Sequence, residues 1–233
     1  MPHPLIDVTS PRGRIVEAAL ALATERPWRQ VALRDIADRA GVSLVDIREH
    51  VASKADVLGL LVRLVDDRVL AAMPKPIAGE SRRDALFEVV MARFDALQPY
   101  RPALRSMSSD ASFDPGLART TLASAAWMLQ AAGIDTSGFD GATRVAGLAA
   151  VYASAFRTWL DDDDPGLART MAALDRRLRR GERTLESLDE IGKTVRGVGE
   201  RIASFFSRAA SRAKPPADAP PPATGPDVAE RNA

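Results

Sequence analysis

The sequence predicts an all-α protein, and three observations carry that expectation. Apolar residues recur every three or four positions through most of the chain. No period-two run bounded by hairpin turns interrupts them. Helix starts are marked repeatedly, by Ser or Asp before Pro and by Ser with Asp three residues on.

A first helix is expected from Ser10 and Pro11, with Ser as cap and Pro in the first turn, burying Ile15, Ala18, Ala19 and Leu22 and ended by Pro27. A short second helix over about 33–39 buries Leu33, Ile36 and Ala37, and Gly41 follows as the turn residue. A third short helix spans about 43–50. A long fourth runs from Ser53 to about Met73, with Val57, Leu58, Leu61, Leu64 and Val65 inward. The run "PKPIAGE" at 74–80 breaks the pattern and separates residues 10–73 from a larger helical domain at 80–182. Helices are expected there at about 81–97, 102–109, 115–132, 141–160 and 165–180.

"DPGLART" occurs at 114–120 and again at 164–170. Asp as cap with Pro in the first turn accounts for both copies, and nothing on either side repeats, so a shared ancestor is the weaker reading. "DDDD" at 161–164 lacks the spacing of a calcium loop and reads as a solvated turn ending in an Asp164 cap. "RRLRR" at 176–180 reads as a helix C-terminus favoured by the dipole. From 184 to 210, Leu185, Leu188, Ile191, Val195, Val198, Ile202 and Phe205 form one apolar stripe on a helix weakened by Gly192, Gly197 and Gly199. That stripe packs on the body or a second subunit, or touches a membrane surface. The Pro- and Ala-rich residues 213–233 are expected to be disordered.

Composition removes several function classes. The chain has no cysteine and only two histidines, His3 and His50, which excludes disulfides, zinc–thiolate sites and a cysteine nucleophile and argues against any metal site. No Gly-rich phosphate loop or nucleophile elbow occurs, so neither an enzyme nor a cofactor is expected. The N-terminus lacks a secretory h-region, and the apolar run at 145–156 is too short to span a bilayer, which points to the cytoplasm. Net charge is +1, and residues 12–60 hold eight basic side chains against seven acids, so charge alone gives DNA binding little support.

Spacing gives more. Three helices with a short Gly-containing turn between the second and third suit a helix-turn-helix, with Val42 and Ile47 closing over Ile36 and Ala37. The run "IADRAGVS" followed by "SKADVL" resembles the N-terminal domain of the TetR family of transcriptional regulators over roughly residues 12–65. The resemblance implies a homodimer that binds double-stranded DNA through its third helix, and a C-terminal domain that binds a small ligand. It assigns the DNA-reading positions to Ser43, Leu44, Val45, Asp46, Arg48, Glu49 and His50, and phosphate contacts to Arg34 and Lys54 at helix starts.

The chain departs from the family at three of these positions and at Val51. Arg48 stands where an aromatic is usual, Val51 where Phe is, and Val45 and Asp46 where small residues are common. Ser43-x-x-Asp46 and Ser53-x-x-Asp56 read as capping boxes, which gives Asp46 a structural role. Glu49 has none; it accepts from a cytosine amine or repels phosphate.

Residues 81–210 also resemble the TetR-shaped lipid-binding accessory proteins of ubiquinone biosynthesis. That likeness implies an apolar pocket for an isoprenoid lipid and peripheral membrane contact through 184–210. Phe94, Leu97, Trp127, Met128, Leu148, Tyr152, Phe156 and Trp159 are the expected lining of an apolar ligand pocket; ordinary bundle core is the alternative.

Overall fold

The computed structural model describes residues 5–74, 81–109 and 115–181. Every regular element among them is helical. The helix-turn-helix comprises α1 (Pro11–Glu25), α2 (Leu33–Ala40) and α3 (Leu44–His50). The long α4 (Lys54–Ala72) leads to α5 (Arg82–Leu97), α6 (Arg101–Ser109), α7 (Pro115–Ala131) and α8 (Gly138–Leu160). A ninth helix, α9, spans 168–181.

The helix starts are set by side-chain chemistry. Ser10 caps α1 by accepting from Gly13 N at 3.1 Å, with Pro11 as the first helical residue. Ser43 and Asp46 form a complete capping box at α3, and Ser53 and Asp56 form another at α4. Gly41 ends α2 in the left-handed region at φ 63°, which sends the chain sharply into α3.

One core runs through the described bundle. Ile15, Ile36, Val65, Val90, Phe94, Trp159 and Leu174 are all completely enclosed, so the helices before the 74–80 break and the described helices after it bury their apolar faces together. Helix α4 is the shared element. It packs against α1 on one side and against α5 and α7 on the other. Its inward residues divide accordingly: Val57, Leu61 and Val65 are buried, and Leu58 and Leu64 are half-buried.

The two "DPGLART" copies do not fold alike. In the first, Pro115 is already helical. In the second, the helix begins at 168, three residues later than the sequence suggests. Leu167 is buried there with φ 53°, and Asp164 accepts from the N–H groups of Gly166 and Ala168. The acidic turn is not wholly solvated either. Asp162 is enclosed and accepts from Thr170 N at 2.8 Å and Thr170 Oγ1 at 2.7 Å. Burial opposes its charge, but those bonds and one from Asp164 N outweigh it and hold the carboxyl below the usual aspartate range. The amphipathic stripe at 184–210 and the tail at 213–233 lie outside the described residues.

Candidate DNA-reading surface and apolar cavity

Helix α3 is pinned from beneath and open above. Ile47 is its one buried residue, 3% exposed and packed with the core that holds Ile36 and Ala37. Solvent meets Leu44 at 47% exposure, Val45 at 69%, and the exposed Arg48 and Glu49. Ser43 and Asp46 lie at the same end of the helix, and His50 is half-buried at the other.

Asp46 is occupied by the cap. Its carboxylate accepts from Ser43 N at 3.0 Å, and its own N–H donates to Ser43 Oγ at 3.1 Å. Those bonds to Ser43 hold its carboxyl below the usual range, helped by His50 and Arg14. Glu49 has no such internal role among the described contacts.

The basic residues divide into tied and exposed. Arg39 forms a two-pronged ion pair with Glu25, at 2.8 and 2.6 Å, joining the end of α2 to α1. Arg26 pairs with Asp35 at 2.8 Å. Lys54 donates to the Trp28 carbonyl at 2.6 Å, with its ammonium 4.7 Å from that ring's centre. The expected phosphate role of Lys54 therefore competes with a contact that fastens α4 to the short turn Trp28–Gln30. Arg34, on the first turn of α2, is exposed, as is Arg48.

The second feature is a cavity of about 620 Å³, within the range of small-molecule sites. Its walls come from five helices: Leu61 and Val65 of α4, Leu97 of α5, Met107 of α6, Met128 of α7, and Tyr152 and Phe156 of α8. Arg105, Arg157 and Asp161 line it while exposed, and so mark its rim.

Of the eight residues expected to line a pocket, Leu97, Met128, Tyr152 and Phe156 lie on the cavity wall. Phe94, Leu148 and Trp159 are buried behind it, in the core. Phe94 stacks on Tyr152 at 5.5 Å and on Trp159 at 5.4 Å, and Trp159 Nε1 donates to Gln98 Oε1 at 3.1 Å. The Phe94 and Trp159 rings support the wall rather than form it. Trp127 is a correction: it is 52% exposed and away from the cavity. Leu117, Thr121, Ser124 and Met128 share one face of α7, and Trp127 falls about a quarter turn outside that face.

Three polar residues on the cavity side escaped sequence reasoning. Asp66 on α4 is joined by Arg93 Nη1 on α5, and Ser124 Oγ on α7 donates to Asp66 Oδ1 at 2.7 Å. Arg93 and Ser124 line the cavity. A signal existed. Arg93 continues the spacing of Leu86, Val89, Val90 and Leu97, and Asp66 stands between Val65 and Val69, so each is charged at a core position. Among the described residues, no group of His, Asp or Glu is placed to hold a metal ion, and no helix is long and apolar enough to cross a membrane.

The COQ9 family model matches residues 116–184, the segment that supplies α7, α8 and α9. The HTH-type transcriptional repressor KstR2 of Mycobacterium tuberculosis, in two strains, is 33% identical over 92 residues. That match covers 39% of this chain and 46% of the repressor, so the chain spans about half the length of the curated relatives it matches. A TetR transcriptional regulator from Nitrosomonas europaea superposes with a TM-score of 0.54 at 26% identity, covering 72% of this chain and 96% of that one. A second, from Rhodococcus sp. RHA1, gives 0.51 at 24% identity over 71% and 91% of the two chains and supports the fold. The chain therefore has the all-α architecture of the TetR-type helix-turn-helix regulators and resembles them in sequence.

Proposed function

We propose that the protein is a transcriptional regulator that binds double-stranded DNA as a homodimer and is controlled by an apolar ligand. The observation that carries this reading is α3: a capped helix held by Ile47 alone, with Leu44, Val45, Arg48 and Glu49 turned to solvent. Such a helix fits a major groove, where Arg48 reaches guanine or phosphate and the aliphatic pair meets thymine methyls. A dimer would set two α3 helices at half-sites about one DNA turn (~34–36 Å) apart.

Control follows from α4. The same helix starts directly after α3, lines the cavity with Leu58, Leu61, Val62 and Val65, and joins α5 and α7 through Asp66. A ligand that binds one position of α4 better than another would change the separation of the two α3 helices. The kinship with a repressor and the TetR-like fold support this reading.

The test is salt-sensitive binding of the purified protein to its own promoter region. Binding at low salt that weakens in Arg48→Ala is expected. No binding at low salt would remove the regulator reading, and unchanged affinity in Arg48→Ala would remove that residue from the site.

A second reading is favoured by one observation. The COQ9 match covers two walls of the cavity, consistent with a lipid-binding accessory protein of ubiquinone biosynthesis. An isoprenoid lipid co-purifying with a protein that ignores its promoter would favour that reading.

A further inference from the structure

The cavity's polarity changes with depth. Leu61, Val65, Leu97, Met107, Met128 and Phe156 give it a largely apolar wall. The charges within the bundle are matched to each other. The Arg93 and Asp66 side chains are 2% and 10% exposed, and Asp66 Oδ1 accepts from Arg93 Nη1 and from Ser124 Oγ. A further charge placed beside that pair would stand unbalanced in an apolar enclosure, which is costly. The interior therefore suits an uncharged, apolar chain.

The mouth is different. Arg105, Arg157 and Asp161 line the cavity there and are exposed. Two cations against one acid leave one positive charge in excess. Arg105 is partly engaged: its Nη2 donates to the Leu160 carbonyl and stands 4.0 Å from Asp161 Oδ1. Arg157 has no hydrogen bond or ion pair with any described residue. Its place in the last turn of α8 suits the helix dipole, but the dipole does not require that the cation line a cavity.

We propose that the cavity's ligand is a single-chain amphiphile, with an apolar tail among the helices and an anionic head, carboxylate or phosphate, at the mouth against Arg157 and Arg105. This rests on the reading that the cavity holds a ligand, which both proposed functions share. The arginine fork matches either head. At an exposed rim the head also keeps much of its hydration, so its charge is not buried. A cationic head would be repelled there, and a neutral chain leaves the excess charge at the mouth unanswered.

The experiment uses the full chain and four probes that share a twelve-carbon tail: dodecanoate, dodecyl phosphate, dodecanol and dodecyltrimethylammonium. Binding is measured by equilibrium dialysis at low salt, below micelle-forming concentrations. The parent should bind at least one anion more tightly than dodecanol, and the cation most weakly. Whichever anion binds better tells a carboxylate head from a phosphate. Arg157→Gln should weaken that anion about threefold, the scale of an exposed ion pair, and leave dodecanol unchanged. Asp161→Asn removes the acid beside Arg105 and should tighten the anion by a similar factor, a gain that a damaged fold would not produce. Added salt should shrink both differences. Dodecanol bound as tightly as both anions by the parent would overturn the proposal while leaving the cavity as a ligand site. So would an Arg157→Gln loss shared equally by dodecanol, or anion affinity unchanged in both variants. If no probe binds the parent, the ligand reading of the cavity falls, and the proposal with it.

Discussion

Replacing Asp66 with Ala should be among the most damaging single substitutions in the protein, and the reason lies in what stays behind. The carboxylate joins α4 to α5 through Arg93 and to α7 through Ser124. Its loss leaves a guanidinium 2% exposed and a hydroxyl without its acceptor. Breaking a buried pair this way costs about 3–5 kcal/mol, whereas neutralising both partners with well-packed apolar residues is often close to neutral. For a chain of this size each kcal/mol lowers the midpoint by roughly 2–4 °C, so Asp66→Ala should melt about 6–20 °C below the parent. Asp66→Leu with Arg93→Met should return most of that loss. The assay is thermal and urea unfolding followed by circular dichroism at one fixed protein concentration, since association shifts apparent stability. An Asp66→Ala loss below about 1 kcal/mol would refute the reasoning. So would a double variant as unstable as the sum of its singles, because the two side chains would then not be coupled.

Other expected outcomes follow from the same physics. The Asp162 carboxyl is held below its ordinary 3.8, so the unfolded chain binds its proton first. Its contribution is full above that value and is lost as pH falls through the lower folded value, so Asp162→Asn should flatten the stability loss below about pH 4 in acid titrations. Gly41→Ala should cost roughly 1–2 kcal/mol in urea unfolding. An added Cβ meets nothing within 4 Å there, so the whole cost is the left-handed backbone at φ 63°; Gly41→Asn should cost less. Glu49→Gln removes an acid from the open face of α3 and should tighten binding to random-sequence DNA a few-fold at low salt, measured by fluorescence anisotropy, with the gain fading as salt rises. If Glu49 instead accepts from one cytosine, the variant should lose affinity only for the specific site.

The fold was legible because its determinants are local. Ser10, Ser43 and Ser53 announce their helices within four residues, and each caps where the spacing predicted. Gly41 declares the turn that makes the helix-turn-helix. The cavity was less legible, because its wall depends on how five helices face one another. Periodicity finds the apolar side of α8 but cannot separate Tyr152 and Phe156, on the wall, from Trp159 behind them. Trp127 shows the related error: a large aromatic was assigned inward by residue type, against the angle its position gives it on α7. Arg93 and Asp66 could be found only by asking why charges stand at core positions, since their partnership spans 27 residues. The late start of α9 was hidden for a different reason. The copied "DPGLART" is helical from its proline in one place, while in the other the buried Asp162–Thr170 bonds hold a turn that local sequence alone would not form.

The near-balance of charge in the N-terminal helices takes a different meaning once the pairs are known. Eight basic residues against seven acids suggests a surface indifferent to DNA. Yet Asp46 and Asp56 are bound into capping boxes, Glu25 is matched by Arg39, and Asp35 by Arg26. Those acids are spent locally, and so are two of the arginines. Six of the eight basic residues, Arg12, Arg14, Arg29, Arg34, Arg48 and Lys54, stand outside those pairs, against three of the seven acids, Glu17, Asp38 and Glu49, so the pairing leaves an excess of positive charge. Discrimination would fall on Arg48 and on apolar contact with thymine methyls, doubled by the second subunit. Under the proposed function, occupancy of DNA would depend on how well the separation of two α3 helices matches the half-sites, which is the quantity that a ligand against α4 would change.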